Sequence, residues 1–121
     1  MNLEHVNLTV TDLDRSVSFY CNLLDAHVRW KGTIDGERLG AHVGDDRCYL
    51  ALFQAATDGE VGHDYSRPGL NHFGFVVDDL DEARRRLDRL GATVHWEADY
   101  HPGRRIYFFD PDGHEVELVE Y

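Results

Sequence analysis

The feature that most constrains this chain is a segment that the sequence contains twice. Residues 4–10 read EHVNLTV and residues 71–77 read NHFGFVV, which places His5 and His72 67 positions apart (72 − 5). The same spacing relates further identical pairs: Asp12 and Asp79, Leu13 and Leu80, Asp14 and Asp81, Leu23 and Leu90. Self-similarity over such a span indicates a duplicated supersecondary unit. Because each copy opens with a histidine on a strand, we expect a site that draws on both copies.

The composition is typical of one soluble globular domain. The chain has 121 residues, of which 42% are hydrophobic and 12% aromatic, enough to form a hydrophobic core. No apolar run approaches the roughly 20 residues of a membrane helix, and no signal-peptide pattern is present. We therefore expect a cytoplasmic protein without a membrane partner. The formal net charge of −11 argues against nucleic acid as a partner, because phosphate backbones attract clusters of Lys and Arg.

Residues 3–54 predict a unit of one strand, one helix and three further strands. Residues 3–10 alternate polar and apolar side chains, which is strand periodicity. For the helix that follows we expect Thr11 as the N-cap. An apolar stripe with helical spacing runs along it: Leu13, Val17, Tyr20 and Leu24. Hairpin signals separate three further strand predictions: Ala26–Thr33, Glu37–Val43 and Arg47–Phe53.

Residues 71–121 repeat this plan after a connection, residues 55–70, that is poor in apolar side chains. Asp79 is the expected N-cap of the helix, with Glu82 at the capping-box position. Gly91 is the expected stop signal at the end of the helix. The strand predictions in this unit are Asn71–Val77, Thr93–Glu97, Arg105–Phe109 and His114–Tyr121.

The fold class expected from this order is α+β, with two βαβββ modules in tandem inside a single domain that spans residues 1–121. Module one covers residues 1–54, residues 55–70 form the connection, and module two covers residues 71–121. One helix can cover only one face of each four-stranded sheet. We therefore expect the opposite faces to line a cupped, half-open barrel.

Three polar side chains are predicted on the strand faces that the helices leave free: His5, His72 and Glu117. A lone histidine on a strand is more often structural than a ligand, but burying an unpaired carboxylate costs on the order of several kcal/mol, so an inward glutamate needs a partner. At the repeat spacing Glu117 aligns with Leu50. Two imidazoles and one carboxylate suit Fe(II) or Mn(II), and also accept Zn, Ni or Co. We expect this set to bind a divalent metal ion.

Three stretches of the chain resemble a known superfamily. They are DLDRSVSFYCNLL, GLNHFGFVVDDLDEA and IYFFDPDGHEVELVEY. They are similar to the vicinal oxygen chelate superfamily, which includes glyoxalase I, extradiol dioxygenases, fosfomycin-resistance transferases, methylmalonyl-CoA epimerase and bleomycin-binding proteins. The resemblance covers nearly the whole chain. It implies paired βαβββ modules around a metal held by His5, His72 and Glu117, and a homodimer, in some members of which the two modules at a site come from different subunits.

Within this superfamily the chain most resembles extradiol dioxygenases. Their signature is similar to residues 106–113 followed by Glu117. The resemblance implies that Tyr107 hydrogen-bonds the substrate oxygens and that a histidine shortly upstream, for which His101 is the candidate, serves the reaction. His63 and His101 are the available proton shuttles. We therefore expect a metal-dependent enzyme that cleaves the ring of a small aromatic diol.

Other functions stay open at this point. A glyoxalase-like lyase or isomerase usually has a fourth polar ligand or base where Leu50 stands. Fosfomycin-type thiol transferases share the ligand set but differ from this chain in the loop at residues 100–105. A non-catalytic drug-binding resistance module has no need of metal ligands.

The remaining histidines are interpreted as solvated: His27, His42, His95 and His114. Several aromatic side chains are expected to lie near a small aromatic substrate: Trp30, Phe53, Tyr65, Trp96 and Tyr100.

Overall fold

The computed structural model describes residues 1–121, which divide into two compact units, residues 1–59 and residues 60–121. Each unit contains four strands and one helix in the order βαβββ. The predicted α+β class with tandem βαβββ modules is therefore confirmed. Neither helix has the length and apolar character that a membrane crossing would require.

The first unit contains one four-stranded sheet and one helix. Its elements are β1 (His5–Val10), α1 (Leu13–Leu24), β2 (His27–Ile34), β3 (Arg38–Gly44) and β4 (Tyr49–Gln54). The strands lie in the order β1-β4-β3-β2, with β1 parallel to β4 and the other neighbours antiparallel. Leu8 and Val10 are buried on one face of β1, whereas His5, Asn7 and Thr9 on the other face are exposed.

Helix α1 begins one residue later than the sequence pattern predicted. Asp12, not Thr11, is the N-cap, and its carboxylate accepts a hydrogen bond from the backbone N–H of Arg15. The carboxylate satisfies an otherwise unpaired amide and also interacts favourably with the helix dipole. The buried side chains of α1 are Leu13, Ser16, Phe19, Tyr20 and Leu23, so the apolar stripe is rotated slightly from the predicted one.

The second unit repeats this arrangement. Its elements are β5 (Phe73–Val76), α2 (Leu80–Arg89), β6 (Val94–Tyr100), β7 (Gly103–Phe109) and β8 (Glu115–Glu120), and the strand order is β5-β8-β7-β6. The predicted N-cap is confirmed, because the side chain of Asp79 accepts a hydrogen bond from the Glu82 N–H. Gly91 has a positive φ of 76° just beyond the helix, a conformation that glycine adopts without steric cost.

Each unit also ties the start of its helix to its last strand. In the first unit, the backbone N–H of Leu13 donates to Gln54 Oε1 at 2.8 Å. In the second unit, the N–H of Leu80 donates to Glu120 Oε2 at 2.7 Å. These bonds satisfy amides that a helix start would otherwise leave unpaired.

The strand pairings give the true alignment of the two units. Asn7 pairs with Ala51 in the first sheet, and its counterpart Gly74 pairs with Glu117 in the second. Ala51 is therefore the counterpart of Glu117, and the alignment of Glu117 with Leu50 is wrong. The turns differ by single residues, since three residues separate β2 from β3 and two separate β6 from β7. A fixed spacing therefore holds within an element but not along a whole module.

A cluster of ion pairs on α2 makes part of the stability dependent on pH. Glu82 lies 2.9 Å from Arg85, 3.2 Å from Arg89 and 3.3 Å from Arg86. Hydrogen bonds from Arg85 and then Arg89 lower the pKa of the Glu82 carboxyl from 4.5 to about 2. Because the folded-state pKa is the lower one, this contribution is present above pH 4.5 and is lost as the pH falls from 4.5 to about 2.

We predict that E82Q loses less stability than the wild type between pH 4.5 and pH 2, because it has no carboxylate to protonate there. The difference should be small, since exposed ion pairs are weak. Thermal unfolding followed by circular dichroism at both pH values measures it. E60Q removes the same charge from an exposed loop residue and should behave like the wild type. Equal acid sensitivity of E82Q and the wild type would contradict this account.

Candidate functional site

One face of the second sheet brings two of the predicted metal ligands together. Gly74 of β5 and Tyr107 of β7 both pair with Glu117 of β8. His72 lies two residues before Gly74 and therefore projects on the same face. Its Nε2 atom is 3.1 Å from Glu117 Oε2, and both side chains are largely shielded from solvent. An imidazole and a carboxylate that are far apart in the sequence thus meet at the sheet surface.

The Glu117 carboxylate is held by two further side chains of the second unit. Arg105 Nη1 donates to Glu117 Oε1 at 2.9 Å, and the hydroxyl of Tyr107 hydrogen-bonds the same carboxylate. The Arg105 guanidinium also lies 4.6 Å from the centre of the Tyr100 ring, in a cation–π arrangement. These contacts fix the carboxylate with its second oxygen directed toward His72.

Tyr107, predicted to bind substrate oxygens, is a buried member of this cluster. Its ring packs edge-on against His72 at 5.3 Å and lies 4.9 Å from Trp96. Burial raises the pKa of the Tyr107 hydroxyl, and the hydrogen bond to Glu117 and the charge of Glu117 raise it further. The hydroxyl is therefore a proton donor over the whole neutral pH range.

Glu115 is a central residue of the cluster to which the sequence analysis assigned no role. It is 6% exposed. Its Oε1 accepts a hydrogen bond from the Tyr65 hydroxyl and lies 3.6 Å from His72 Nδ1, while its Oε2 is 3.1 Å from His95 Nε2. Burial raises the pKa of the Glu115 carboxyl, and the nearby His63 opposes that shift. The only sequence signal for its role is that Glu115 lies two residues before Glu117 on the same strand, so both side chains point to the same face.

The interpretation of His114 as solvated is wrong, and His95, although exposed, makes specific side-chain contacts. The His95 ring stacks on Phe109 with centroids 4.4 Å apart, in addition to its contact with Glu115. Burial lowers the pKa of His95, and the charge of His63 contributes in the same direction. His114 Nδ1 lies 2.8 Å from Asp110 Oδ2, and its side chain is only 13% exposed. Both imidazoles are fixed by neighbouring side chains.

The two predicted proton shuttles lie in different places in the second unit. His63 Nε2 is 2.6 Å from the carbonyl oxygen of Gly113, and its ring is 5.2 Å from that of Phe109. It therefore lies at the margin of the cluster, next to the β7–β8 turn. His101 lies in the turn between β6 and β7, is exposed and makes none of the contacts that hold the cluster together.

His5, the third predicted ligand, lies on the equivalent face of the first sheet. Its Nδ1 is 2.8 Å from Glu4 Oε1, and its ring stacks on Tyr49 at 5.0 Å. His42 continues the row, 4.5 Å from Tyr49 and 5.0 Å from Trp30, so His42 too is more than a solvated side chain. Burial is the largest cause that lowers the pKa of His42. This face presents a row of rings and lacks the paired glutamates of the second sheet.

A second group of acidic and imidazole side chains lies in the β7–β8 turn. Donor atoms of Asp110, Asp112 and His114 lie within 4.8 Å of one another. Asp110 Oδ1 accepts the backbone N–H groups of Asp112 and His114, both at 2.9 Å. These bonds close the turn that the Asp-Pro-Asp-Gly sequence predicts, so the group has a structural explanation.

The chain is similar to known proteins over almost its whole length. The family model described as "Glyoxalase/Bleomycin resistance protein/Dioxygenase superfamily" matches residues 2–118. The glutathione transferase FosA of Serratia marcescens is 31% identical over 97% of this chain and 79% of the relative. The catechol-2,3-dioxygenase of Bacillus subtilis is 28% identical over 97% of this chain, which spans only 40% of that relative. The lactoylglutathione lyase of Salmonella typhimurium is 29% identical over 99% of this chain and 93% of the relative.

Solved structures with the same fold are also similar to this chain. A glyoxylase/bleomycin resistance protein/dioxygenase domain from Frankia sp. EAN1pec has a TM-score of 0.82 and 29% identity, covering 99% of this chain and 97% of that one. A mutant of the fosfomycin resistance protein FosX of Listeria monocytogenes, in complex with Mn(II) and 1S,2S-dihydroxypropylphosphonic acid, has a TM-score of 0.77 and 24% identity, covering 98% of this chain and 90% of that one. The relatives carry names for three different reactions, so similarity alone does not select one.

We predict that E117Q lowers the pKa of the Tyr107 hydroxyl, because it removes a negative charge that disfavours the phenolate. NMR titration of the tyrosine Cζ resonances, assigned by comparison with Y107F, measures the change in metal-free protein. E97Q removes an exposed carboxylate of β6 that pairs with Arg84 and should leave Tyr107 unchanged. An unaltered Tyr107 titration in E117Q would show that this contact is absent in solution.

Proposed function

Because this chain belongs to the Glyoxalase/Bleomycin resistance protein/Dioxygenase superfamily, we propose that it is a divalent-metal-dependent enzyme that acts on a small oxygenated substrate. The observation that carries the proposal is the 3.1 Å separation between His72 Nε2 and Glu117 Oε2. Two atoms bound at right angles to one ion, each at about 2.1 Å, lie roughly 3 Å apart. The donor pair in the second unit therefore fits a single divalent ion.

The surroundings of the histidines support the same proposal. His72 Nδ1 faces Glu115 at 3.6 Å, and His5 Nδ1 faces Glu4 at 2.8 Å. A carboxylate behind one ring nitrogen is the usual partner of a histidine that binds metal through its other nitrogen. We propose His5 as the third ligand, on the basis of the internal repeat.

Two imidazoles and one carboxylate favour Fe(II) or Mn(II) and also accept Zn, Ni or Co. When bound, such an ion supplies a Lewis acid for adjacent oxygens of the substrate.

We also propose that the protein acts as a homodimer. A measurement of its mass in solution tests this.

The side chains of the second unit supply the remaining binding groups. The Tyr107 hydroxyl, kept protonated by its raised pKa, would donate to a substrate oxygen in place of its hydrogen bond to Glu117. Arg105 pairs with the Glu117 carboxylate at 2.9 Å and fixes its orientation. Trp96 and Phe109 present partly exposed rings beside Tyr107 and His95, which favours a flat apolar body on the ligand.

We propose cleavage of a small aromatic diol as the reaction. A diol ring matches the aromatic side chains beside the donor pair, and its two adjacent oxygens match one ion with open positions. The similarity to the Bacillus subtilis catechol-2,3-dioxygenase supports this class. His63, whose ring contacts Phe109 at the margin of the cluster, is a better supported proton shuttle than His101.

The second candidate reaction is transfer of a thiol to an anionic oxygenated substrate. The similarity to the glutathione transferase FosA, over 97% of this chain, supports this reaction. A glyoxalase-like isomerisation has less support. The residue equivalent to Glu117 in the first unit is Ala51, which has no donor atom to act as a fourth ligand or base.

We predict that purified protein binds close to one equivalent of Mn(II) or Fe(II) per site. H72A removes one donor, and E117Q replaces a charged donor with a neutral amide, so each should lower the affinity on the order of 100-fold or more. Calorimetric titration of metal-free protein gives the affinity, and circular dichroism checks folding. H27A changes an exposed histidine of β2 and should bind like the wild type. Wild-type protein that binds no divalent metal would overturn the proposed function.

We predict that the Fe(II)-loaded protein consumes O2 with one or more simple catechols, and that Y107F lowers kcat on the order of 100-fold through the loss of a proton donor. An oxygen electrode measures the uptake. Y121F changes an exposed tyrosine and should leave the rate unchanged. If the protein consumes glutathione in the presence of a phosphonate substrate and takes up no O2 with any catechol, ring cleavage is contradicted and thiol transfer is supported.

A further inference from the structure

We propose that Glu115 and Tyr65 are positioning residues that fix the tautomer and the ring orientation of His72. Both lie in the second unit and contact the Nδ1 side of the His72 ring. The purpose of this arrangement rests on the proposed metal-binding function, because it would prepare His72 Nε2 to act as a ligand. The arrangement itself is a property of the metal-free protein and can be tested separately.

The direction of the hydrogen bonds assigns the tautomer. A phenol has one proton to give, and a carboxylate can only accept. The Tyr65 hydroxyl therefore donates to Glu115 Oε1, and its oxygen accepts from His72 Nδ1–H at 3.2 Å. With its proton on Nδ1, the neutral imidazole has its lone pair on Nε2. That lone pair faces Glu117.

The Glu115 carboxylate is itself held rigidly. Its second oxygen is 3.1 Å from His95 Nε2, and the His95 ring is stacked on Phe109. Both oxygens of Glu115 make contacts, and only 6% of the residue is exposed. Rotation of the carboxylate would break its contacts with Tyr65 and His95 where little water is present to replace them. The negative charge behind Nδ1 stabilises the proton at that nitrogen.

In the first unit, a different residue supplies the carboxylate beside the histidine Nδ1 atom. Tyr49 pairs with His5 and, in the corrected alignment, stands where Glu115 stands in the second unit. His5 Nδ1 contacts the carboxylate of Glu4 instead, the residue that precedes it. The carboxylate behind His72 was therefore not dictated by the repeat. It depends on Glu115 and on Tyr65 from the connection between the units.

With the proton on Nδ1, the lone pair on Nε2 would be available to a cation at the proposed site. Nε2 and the Glu117 carboxylate oxygen both present acceptors at a separation of 3.1 Å. A cation bound by both atoms would relieve the repulsion between these two acceptors. Arg105 is bonded to the other oxygen of Glu117 and does not bridge the pair.

Long-range ¹H–¹⁵N NMR of metal-free protein tests the assignment at a pH where His72 is neutral, with H72A identifying the resonances. We expect the wild type to have the proton on Nδ1. E115Q and Y65F should shift the population toward the Nε2–H tautomer and lower the Mn(II) affinity by about 10-fold to 100-fold, the usual effect of losing such a partner. E97Q, an exposed carboxylate change on β6, is the matched control and should alter neither.

A wild-type His72 with its proton on Nε2 would overturn the proposal, as would variants that keep the wild-type tautomer or the wild-type affinity. If the wild type shows the Nδ1–H tautomer, the variants lose it, and none binds metal, the positioning role stands and the metal-binding function fails. Tyr65 is 58% exposed, so Y65F is expected to fold normally. If E115Q does not fold, Y65F alone is sufficient to test the proposal.

Discussion

The parallel pairing of β5 with β8 is the constraint on which the candidate site depends. A βαβββ unit returns its last strand to lie beside its first, and this brings His72 within 3.1 Å of Glu117 although 45 residues separate them in the sequence. A carboxylate shielded from water must find partners. Arg105, Tyr107 and His72 supply them for Glu117, and the same face gathers partners around the more deeply buried Glu115.

The parts of the fold that the sequence predicted have local physical causes. Alternation of side chains along residues 3–10 gave the strand and its exposed histidine face, because successive side chains of a strand point to opposite sides. Asp79 and Glu82 marked the start of α2 through hydrogen bonds within one helical turn. The repeat gave two modules of the same order. Strand periodicity and the repeat placed His72 and Glu117 on the strand faces that the helices leave free, and the two side chains are in contact.

The parts that the sequence did not predict depend on insertions or on tertiary contacts. Single-residue differences between turns moved the counterpart of Glu117 from Leu50 to Ala51, and no pattern within a strand reveals such a shift. Thr11 and Asp12 are adjacent and both have side chains that suit an N-cap, so the sequence pattern could not distinguish between them. Tyr65 meets Glu115 from a connection without regular structure, so periodicity could not have linked the two.

The two sheets also show how a duplicated unit can diverge in chemistry while its fold is kept. The first sheet has a row of rings in contact, namely His5, Tyr49, His42 and Trp30, whereas the second has glutamates among its rings. The central claim is that His72 and Glu117 bind the same divalent ion. Crystals grown with Mn(II) and measured at the manganese absorption edge test it most directly. The account predicts an anomalous peak about 2.1 Å from both His72 Nε2 and Glu117 Oε2, whereas a peak at Asp110 and His114 alone, or no peak, would contradict it.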